Sequence, residues 1–219
     1  MAENTLHPIS SFRQAKKLAT ILYKDHKTTF YCGCDYTDKK LVKPGKCGYQ
    51  ARKNKKRGKR IEWEHVVPAH AFGHSRQCWR EPESFEACQK KSGEFYRGRK
   101  CCNKVDPMFR AMAADLHNLV PAVGELNGDR SNFRFGMIEG EPRSYGACDF
   151  EVDFKHRVVE PAPHVRGNIA RIYRYMEKTY GIVIGKKQRR LFDLWAKQDP
   201  VDESEKRKSA HVNRLYTTR

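Results

Sequence analysis

Between Arg60 and Pro68 the chain reads Arg-Ile-Glu-Trp-Glu-His-Val-Val-Pro, so a carboxylate, Glu64, is followed directly by a histidine, His65. A histidine of near-neutral pKa can take a proton from water, and a carboxylate offers a hard oxygen to a cation such as Mg²⁺ or Ca²⁺. The two roles are complementary: together they describe water activation beside a metal ion. On a regular strand neighbouring side chains point to opposite faces, so the pair serves one groove only at a strand end or a bend. Pro68 and the loop behind it supply such an end. A second segment, Asp115-Leu-His-Asn-Leu-Val-Pro-Ala-Val-Gly-Glu-Leu-Asn-Gly-Asp-Arg130, adds an amide oxygen and a strand that passes into a helix. Taken alone, Glu-His is a common dipeptide. Glu62 and Glu64 could simply pair with nearby arginines, and His65 could be a satisfied strand histidine.

The elements around these segments follow from spacing. Residues 11–23 put Phe12, Ala15, Leu18, Ala19 and Leu22 on one helical face. Residues 28–50, with a Pro44-Gly45 turn, suit short extended pieces joined by turns. The basic run Arg52 to Arg60 leads into the Glu-Trp-Glu-His strand. Residues 69–105 carry Gly, Ser, Pro and four cysteines without periodicity and read as a long loop pinned by those cysteines. Asp106-Pro107 starts a short helix, with Asp106 as N-cap and Met108, Met112 and Leu116 on one face. Residues 118–123 read as a strand and 123–129 as the opening of a helix. Residues 165–180 and 186–197 are helices whose apolar positions, Ile169, Ile172, Tyr173, Met176, Leu191, Leu194 and Trp195, are core. The tail from Val201 reads as a charged, exposed helix that frays.

Composition narrows the partners. The 219 residues include 44 Lys and Arg against 26 Asp and Glu, a net charge of +18, and the surface field must attract polyanions. A solubility device or an anionic membrane surface would also use such charge, but the basic residues are spread along the whole chain and form no polybasic tail. That distribution favours nucleic acid. Arg52, Lys53, Lys55, Lys56, Arg57 and Lys59 are candidate phosphate contacts, with a solvated loop as the plain alternative. No apolar run approaches the roughly 20 residues of a membrane span. Eight cysteines favour a disulfide framework in an oxidising compartment. A zinc ribbon would need paired Cys-x2-Cys knuckles, which Cys32-x-Cys34 and Cys101-Cys102 do not provide. Eight cysteines allow 105 pairings, and the sequence does not choose among them. Met1-Ala-Glu-Asn opens polar, so no secretory leader is visible; either it has been removed or export takes another route.

Longer motifs then carry a resemblance. Ile61-Glu-Trp-Glu-His-Val-Val-Pro-Ala-His, Arg76-Gln-Cys-Trp and the segment from Asp115 to Phe133 resemble the bacterial endonuclease I family. So do Tyr31-Cys-Gly-Cys, Cys47-Gly-Tyr-Gln, Val152-Asp-Phe-Lys and Arg166-Gly-Asn-Ile-Ala-Arg. The resemblance implies an α+β, mainly helical, disulfide-stabilised single domain over residues 1–219. Its ββα-metal (His-Me finger) core would span about residues 58–132 and its helical C-terminal part about 165–215. It implies a periplasmic or secreted nonspecific endonuclease, acting as a monomer on double- and single-stranded DNA and on RNA. One divalent ion, Mg²⁺ with Ca²⁺ or Mn²⁺ as substitutes, would assist, and the products would carry 5′-phosphates.

Carried over by position, the resemblance makes His65 the general base, Glu64 and Asn127 the metal ligands, and Arg99 the grip on the scissile phosphate, with Arg97 two residues away. Asn118 steadies the ββα unit, and Glu62 has a supporting role. The chain departs from the family between Trp79 and Cys102, where the segment is longer and carries an extra Cys88. Cysteines after Val201 are absent. A Cys88–Cys101 bridge pinning the loop of Arg99 is the corresponding hypothesis. Two other classes stay open: a basic nucleic-acid-binding protein without catalysis, and a zinc-stabilised structural protein.

Overall fold

In the computed structural model residues 9–217 are described; Met1–Asn4, on which the reading of the missing leader rests, lies outside them. Helix α1 (Phe12–Leu22) begins where Ser11 Oγ accepts the Gln14 N–H at 3.2 Å, and it buries Ala15, Leu18 and Ala19. The turn-rich stretch behind it forms the short antiparallel ladder of β1 (Asp35–Tyr36) and β2 (Val42–Lys43). Helix α2 (Lys55–Gly58) lies within the basic run and is capped by Asn54; strand β3 (Ile61–His65) follows.

Residues 69–105 are not the structureless loop expected. They contain α3 (Ala69–Gly73), α4 (Gln77–Arg80) and α5 (Arg99–Val105), with 3-10 turns between the last two. Such helices complete at most about two turns, too few for an apolar period to show in sequence. Helix α6 (Pro107–Ala114) starts as read, with the Asp106 carboxylate accepting the Phe109 N–H at 2.9 Å. Met112 and Leu116 are buried, whereas Met108 is only partly covered.

A 3-10 turn over Leu116–Asn118 delivers β4 (Leu119–Val123), which passes directly into α7 (Gly124–Arg130). Strands β3 and β4 pair antiparallel from Ile61↔Val123 to His65↔Leu119. At the strand-to-helix junction a side chain on residue 124 would meet the Arg57 carbonyl oxygen at 2.7 Å, so glycine is required there. Strands β5 (Arg134–Phe135), β6 (Phe150–Asp153) and β7 (Val158–Pro161) form a third sheet in the order β5-β7-β6, with β5 parallel to β7 and β6 antiparallel to it. Helices α8 (Arg166–Tyr180), α9 (Lys186–Gln198) and α10 (Glu203–Thr217) complete the chain.

Three apolar clusters meet at the end of β3. Ile61 and Trp63 belong to the cluster under α1, Val66 to the one that holds Phe150 and Trp195, and Val67 to the one that holds Phe109 and the cysteines of residues 78–102. The segment is thereby pinned from three sides beside Glu64 and His65. One helix reading needs correction: Leu194 is half exposed on α9, while Ile169, Met176 and Trp195 are buried. Helix α10 is charged and largely exposed as read, but it is anchored: Val212 is fully buried, and Lys208 Nζ donates to the carbonyls of His117 and Leu119.

All eight cysteines are paired, as Cys32–Cys148, Cys34–Cys47, Cys78–Cys102 and Cys88–Cys101. This leaves no thiolate for zinc, and the Cys88–Cys101 bridge is present. The fold is thus α+β with four disulfides.

Candidate active site

Alternation along β3 puts Glu62 and Glu64 on the face that α7 covers. Asn127 and Arg130, three residues apart on α7, meet them there. Asn127 Nδ2 donates to Glu62 Oε2 at 3.1 Å, and Arg130 Nη1 lies 3.2 Å from Glu64 Oε1. A carboxylate only accepts, so Glu62 turns the amide nitrogen of Asn127 toward itself and leaves the amide oxygen facing elsewhere. Glu62 is held in turn by Arg57 and Arg60.

Glu64 is buried. Its Oε1 also receives the Tyr31 hydroxyl at 3.4 Å; among the described residues none donates to Oε2. Burial pushes the Glu64 carboxyl up to about 7, although Arg130 and the Tyr31 hydroxyl pull it down. A carboxylate so poorly compensated favours an added positive charge beside its open oxygen.

His65 occupies the last position of β3 and points to the other side, where its Nε2 lies 2.8 Å from the Ala113 carbonyl oxygen. A carbonyl can only accept, so Nε2 carries the hydrogen and Nδ1 keeps its lone pair. Burial pushes the imidazole down to about 4, with the positive charges of Arg99 and Arg130 acting in the same direction. The ring therefore stays neutral near pH 7, with the Nδ1 lone pair open to accept a proton.

Because β3 stops at His65, one cleft of about 770 Å³ reaches both faces of its end. Glu62, Glu64, His65, Arg99 and Asn127 all line it, along with Phe12, Lys16, Lys40, Arg57 and Arg130. Arg97 is exposed and does not line it. Asn118 is buried behind the strand end, where its Oδ1 accepts the Val67 N–H at 2.7 Å and its Nδ2 donates to the Val67 carbonyl at 3.0 Å. The backbone after His65 is thus tied to the start of β4.

The basic run contributes less to the cleft than its sequence implied. Of its six candidates only Arg57 lines the cleft, and it is ion-paired with Glu62. Arg52 pairs with Asp129 at 3.1 Å and covers the Phe154 ring. Lys53, Lys55, Lys56 and Lys59 are exposed outside the cleft. The loop is drawn inward because Glu125 accepts the backbone N–H groups of Arg52, Lys53 and Asn54.

Arg130 was missed as a site residue. Besides Glu64 it donates to the carbonyls of His65 and Val66, and it is fully buried. Its spacing from Asn127 was the available signal. Lys16, Lys40 and Phe12 carried none, since their approach to the cleft is set by tertiary packing.

Two antiparallel strands followed at once by a helix, with a histidine closing the first strand and an asparagine on the helix, form the ββα layout of His-Me finger nucleases. The sequence model of the Endonuclease I family matches residues 9–219, and the chain belongs to that family. It is 46% identical over 209 residues to an extracellular deoxyribonuclease of Aeromonas hydrophila, covering 94% of this chain and 85% of that protein. It is 44% identical over 209 residues to a periplasmic deoxyribonuclease of the same organism, covering 94% and 81%. Endonuclease-1 of Buchnera aphidicola subsp. Acyrthosiphon pisum is 44% identical over 201 residues, covering 90% and 74%.

Proposed function

We propose that this protein is a nonspecific endonuclease that hydrolyses phosphodiester bonds in DNA and RNA, with His65 as general base. The observation that carries this reading is the bond from His65 Nε2 to the Ala113 carbonyl, which leaves Nδ1 as a proton acceptor in a cleft shared with Glu64, Asn127 and Arg99.

The donor set fits a hard divalent ion. Glu64 Oε2 and the Asn127 amide oxygen are both hard oxygens, and among the described residues no group of three or more His, Cys, Asp or Glu could hold a metal ion by itself. Mg²⁺ suits two protein ligands because it keeps several waters. Held by Glu64 and Asn127, the ion supplies neutralisation of the phosphate and of the charge that develops on the leaving oxygen.

His65 Nδ1 takes a proton from a water whose oxygen attacks phosphorus. The bond from phosphorus to the 3′ oxygen breaks, the leaving oxygen takes up a proton from solvent water in the open cleft, and the 5′ side keeps the phosphate. Arg99 donates paired N–H groups to phosphate oxygens and steadies the added charge. Contacts of this kind read phosphate and not base identity, which supports action without sequence preference. Four disulfides and relatives named as extracellular or periplasmic support a site of action in the periplasm or outside the cell. No helix among the described residues is long and apolar enough to cross a membrane.

The test is supercoiled plasmid incubated with the protein in Mg²⁺, in EDTA, and with His65→Ala. Cutting that needs Mg²⁺ and is lost in the variant supports the assignment. Plasmid that is retarded on the gel but never cut makes the protein a nucleic-acid binder without catalysis, and cutting that survives His65→Ala rejects the base.

A further inference from the structure

The proposed general base and the proposed phosphate-binding arginine share one aromatic neighbour. Phe12, the first residue of α1, has its ring centroid 4.8 Å from that of the His65 imidazole, with the two planes 31° apart. The guanidinium carbon of Arg99 lies 5.1 Å from the same centroid, and Lys16 Nζ also lies 5.1 Å away. Phe12 packs at the edge of the cluster under α1 and also reaches the cleft. The helix buries Ala15, Leu18 and Ala19 against the body of the protein, while Phe12 is only half-buried and lines the cleft.

His65 needs such a neighbour. Its torsion about the Cβ–Cγ bond is a broad sp³–sp² rotation. The hydrogen bond from Nε2 to the Ala113 carbonyl fixes which way the ring is flipped and leaves a smaller rocking about that torsion. Phe72 meets the imidazole edge-on, with ring centroids 6.3 Å apart and planes at 68°. A ring lying partly over the imidazole face limits the rotation that these contacts leave. Arg99 needs one too, because a long guanidinium side chain holds a fixed pose poorly without a stacking surface.

We infer that Phe12 is a positioning residue for phosphodiester hydrolysis, a single aromatic platform that sets both the imidazole plane of His65 and the pose of Arg99. This inference rests on the nuclease assignment above. The Ser11 cap, which fixes where α1 begins, fixes the platform as well.

The experiment compares wild type with Phe12→Leu, Phe12→Met, Phe12→Tyr and His65→Ala on a quenched fluorescent DNA duplex in saturating Mg²⁺, reading kcat, KM and the thermal midpoint of each. Leu and Met keep apolar volume but have no ring face, so kcat is expected to fall about 10- to 100-fold while KM and the midpoint stay close to wild type. Tyr restores the ring and is expected to return kcat to near the wild-type value. Wild-type kcat in the Leu and Met variants overturns the inference; so does a loss of kcat that follows the thermal midpoint and is not rescued by Tyr. Wild type that leaves the duplex uncut defeats the nuclease assignment itself and full activity in His65→Ala rejects the base, whereas an inactive His65→Ala beside a fully active Phe12→Leu defeats the platform alone.

Discussion

Arg130 Nη1 lies 3.2 Å from Glu64 Oε1, and both side chains are buried. The pair is almost wholly buried at the floor of the cleft, so each member depends largely on the other for compensation. Breaking a buried pair from one side leaves an uncompensated charge, which costs far more than a surface pair is worth. The same arginine also gathers the carbonyls of His65 and Val66, so it holds the proposed ligand and the backbone of the proposed base together.

Arg130→Met is therefore expected to lower stability by about 3–5 kcal/mol in urea denaturation. Glu64→Gln added to it should recover part of that loss, because the stranded carboxylate is gone. Strictly additive effects would show that the two side chains do not interact.

Glu62 is expected to act on metal affinity and not on the chemical step. Glu62→Ala removes the acceptor that turns the Asn127 amide nitrogen aside. The Mg²⁺ concentration for half-maximal cutting should rise about 10-fold or more, with kcat at saturating Mg²⁺ near wild type. A metal titration of both proteins decides it, and an unchanged midpoint would remove Glu62 from the site.

Nucleic-acid affinity should depend on the lysines that face the cleft more than on those of the basic run. Lys16→Ala and Lys40→Ala are each expected to reduce the slope of log affinity against log salt by about 1. Lys55→Ala and Lys56→Ala should change it less. Binding to a duplex in Ca²⁺ or EDTA across a salt series measures this, and the reverse ranking would put the substrate path over α2.

Glu151 should make stability fall as pH rises. It is buried opposite Glu160 on the neighbouring strand, and neither of its oxygens has a hydrogen-bond partner. Burial first, then the charges of Asp149, Glu160 and Glu141, raise its carboxyl from the ordinary 4.5 to about 7, against the pull of Arg143. The folded state binds the proton more tightly than the unfolded state, so this contribution is fully present below about pH 4.5 and is lost as pH rises through about 7. Glu151→Gln should accordingly match wild type in acid and exceed it above pH 7 by about 1–2 kcal/mol, the scale of one unsatisfied buried acceptor. Paired denaturation curves at pH 5 and pH 8 are the check, and equal differences at both would refute it.

What could be read from the sequence divides along physical lines. Alternation and the Pro68 boundary located β3, and Asp106-Pro107 located the start of α6, because a cap and a strand period are local signals. Family motifs brought Glu64, His65, Arg99 and Asn127 into one cleft. The short helices α3, α4 and α5 were invisible, since each is too short to show a period and the disulfides that secure α4 and α5 cannot be paired from sequence. The anchors of helix α10 were hidden for a related reason. Its composition is that of a solvated surface helix, yet Val212 finds a core and Lys208 finds two carbonyls supplied by residues 117 and 119. Phe12 reads as one more core position of an amphipathic helix; only the packed structure shows it against His65 and Arg99.

Asp115 opens the turn that delivers β4 and is fully buried. Tyr175, Tyr180 and Tyr216 each donate a hydroxyl hydrogen to its carboxylate, and Tyr216 also accepts the N–H of Leu116. A ribosome that has finished Asn127 has already made every group proposed for the chemistry, but none of the three tyrosines that anchor the turn behind it. Synthesis must run almost ninety residues further, to Tyr216, before the foundation of the cleft can close. The turn behind the cleft is therefore fully anchored only once α10 is docked.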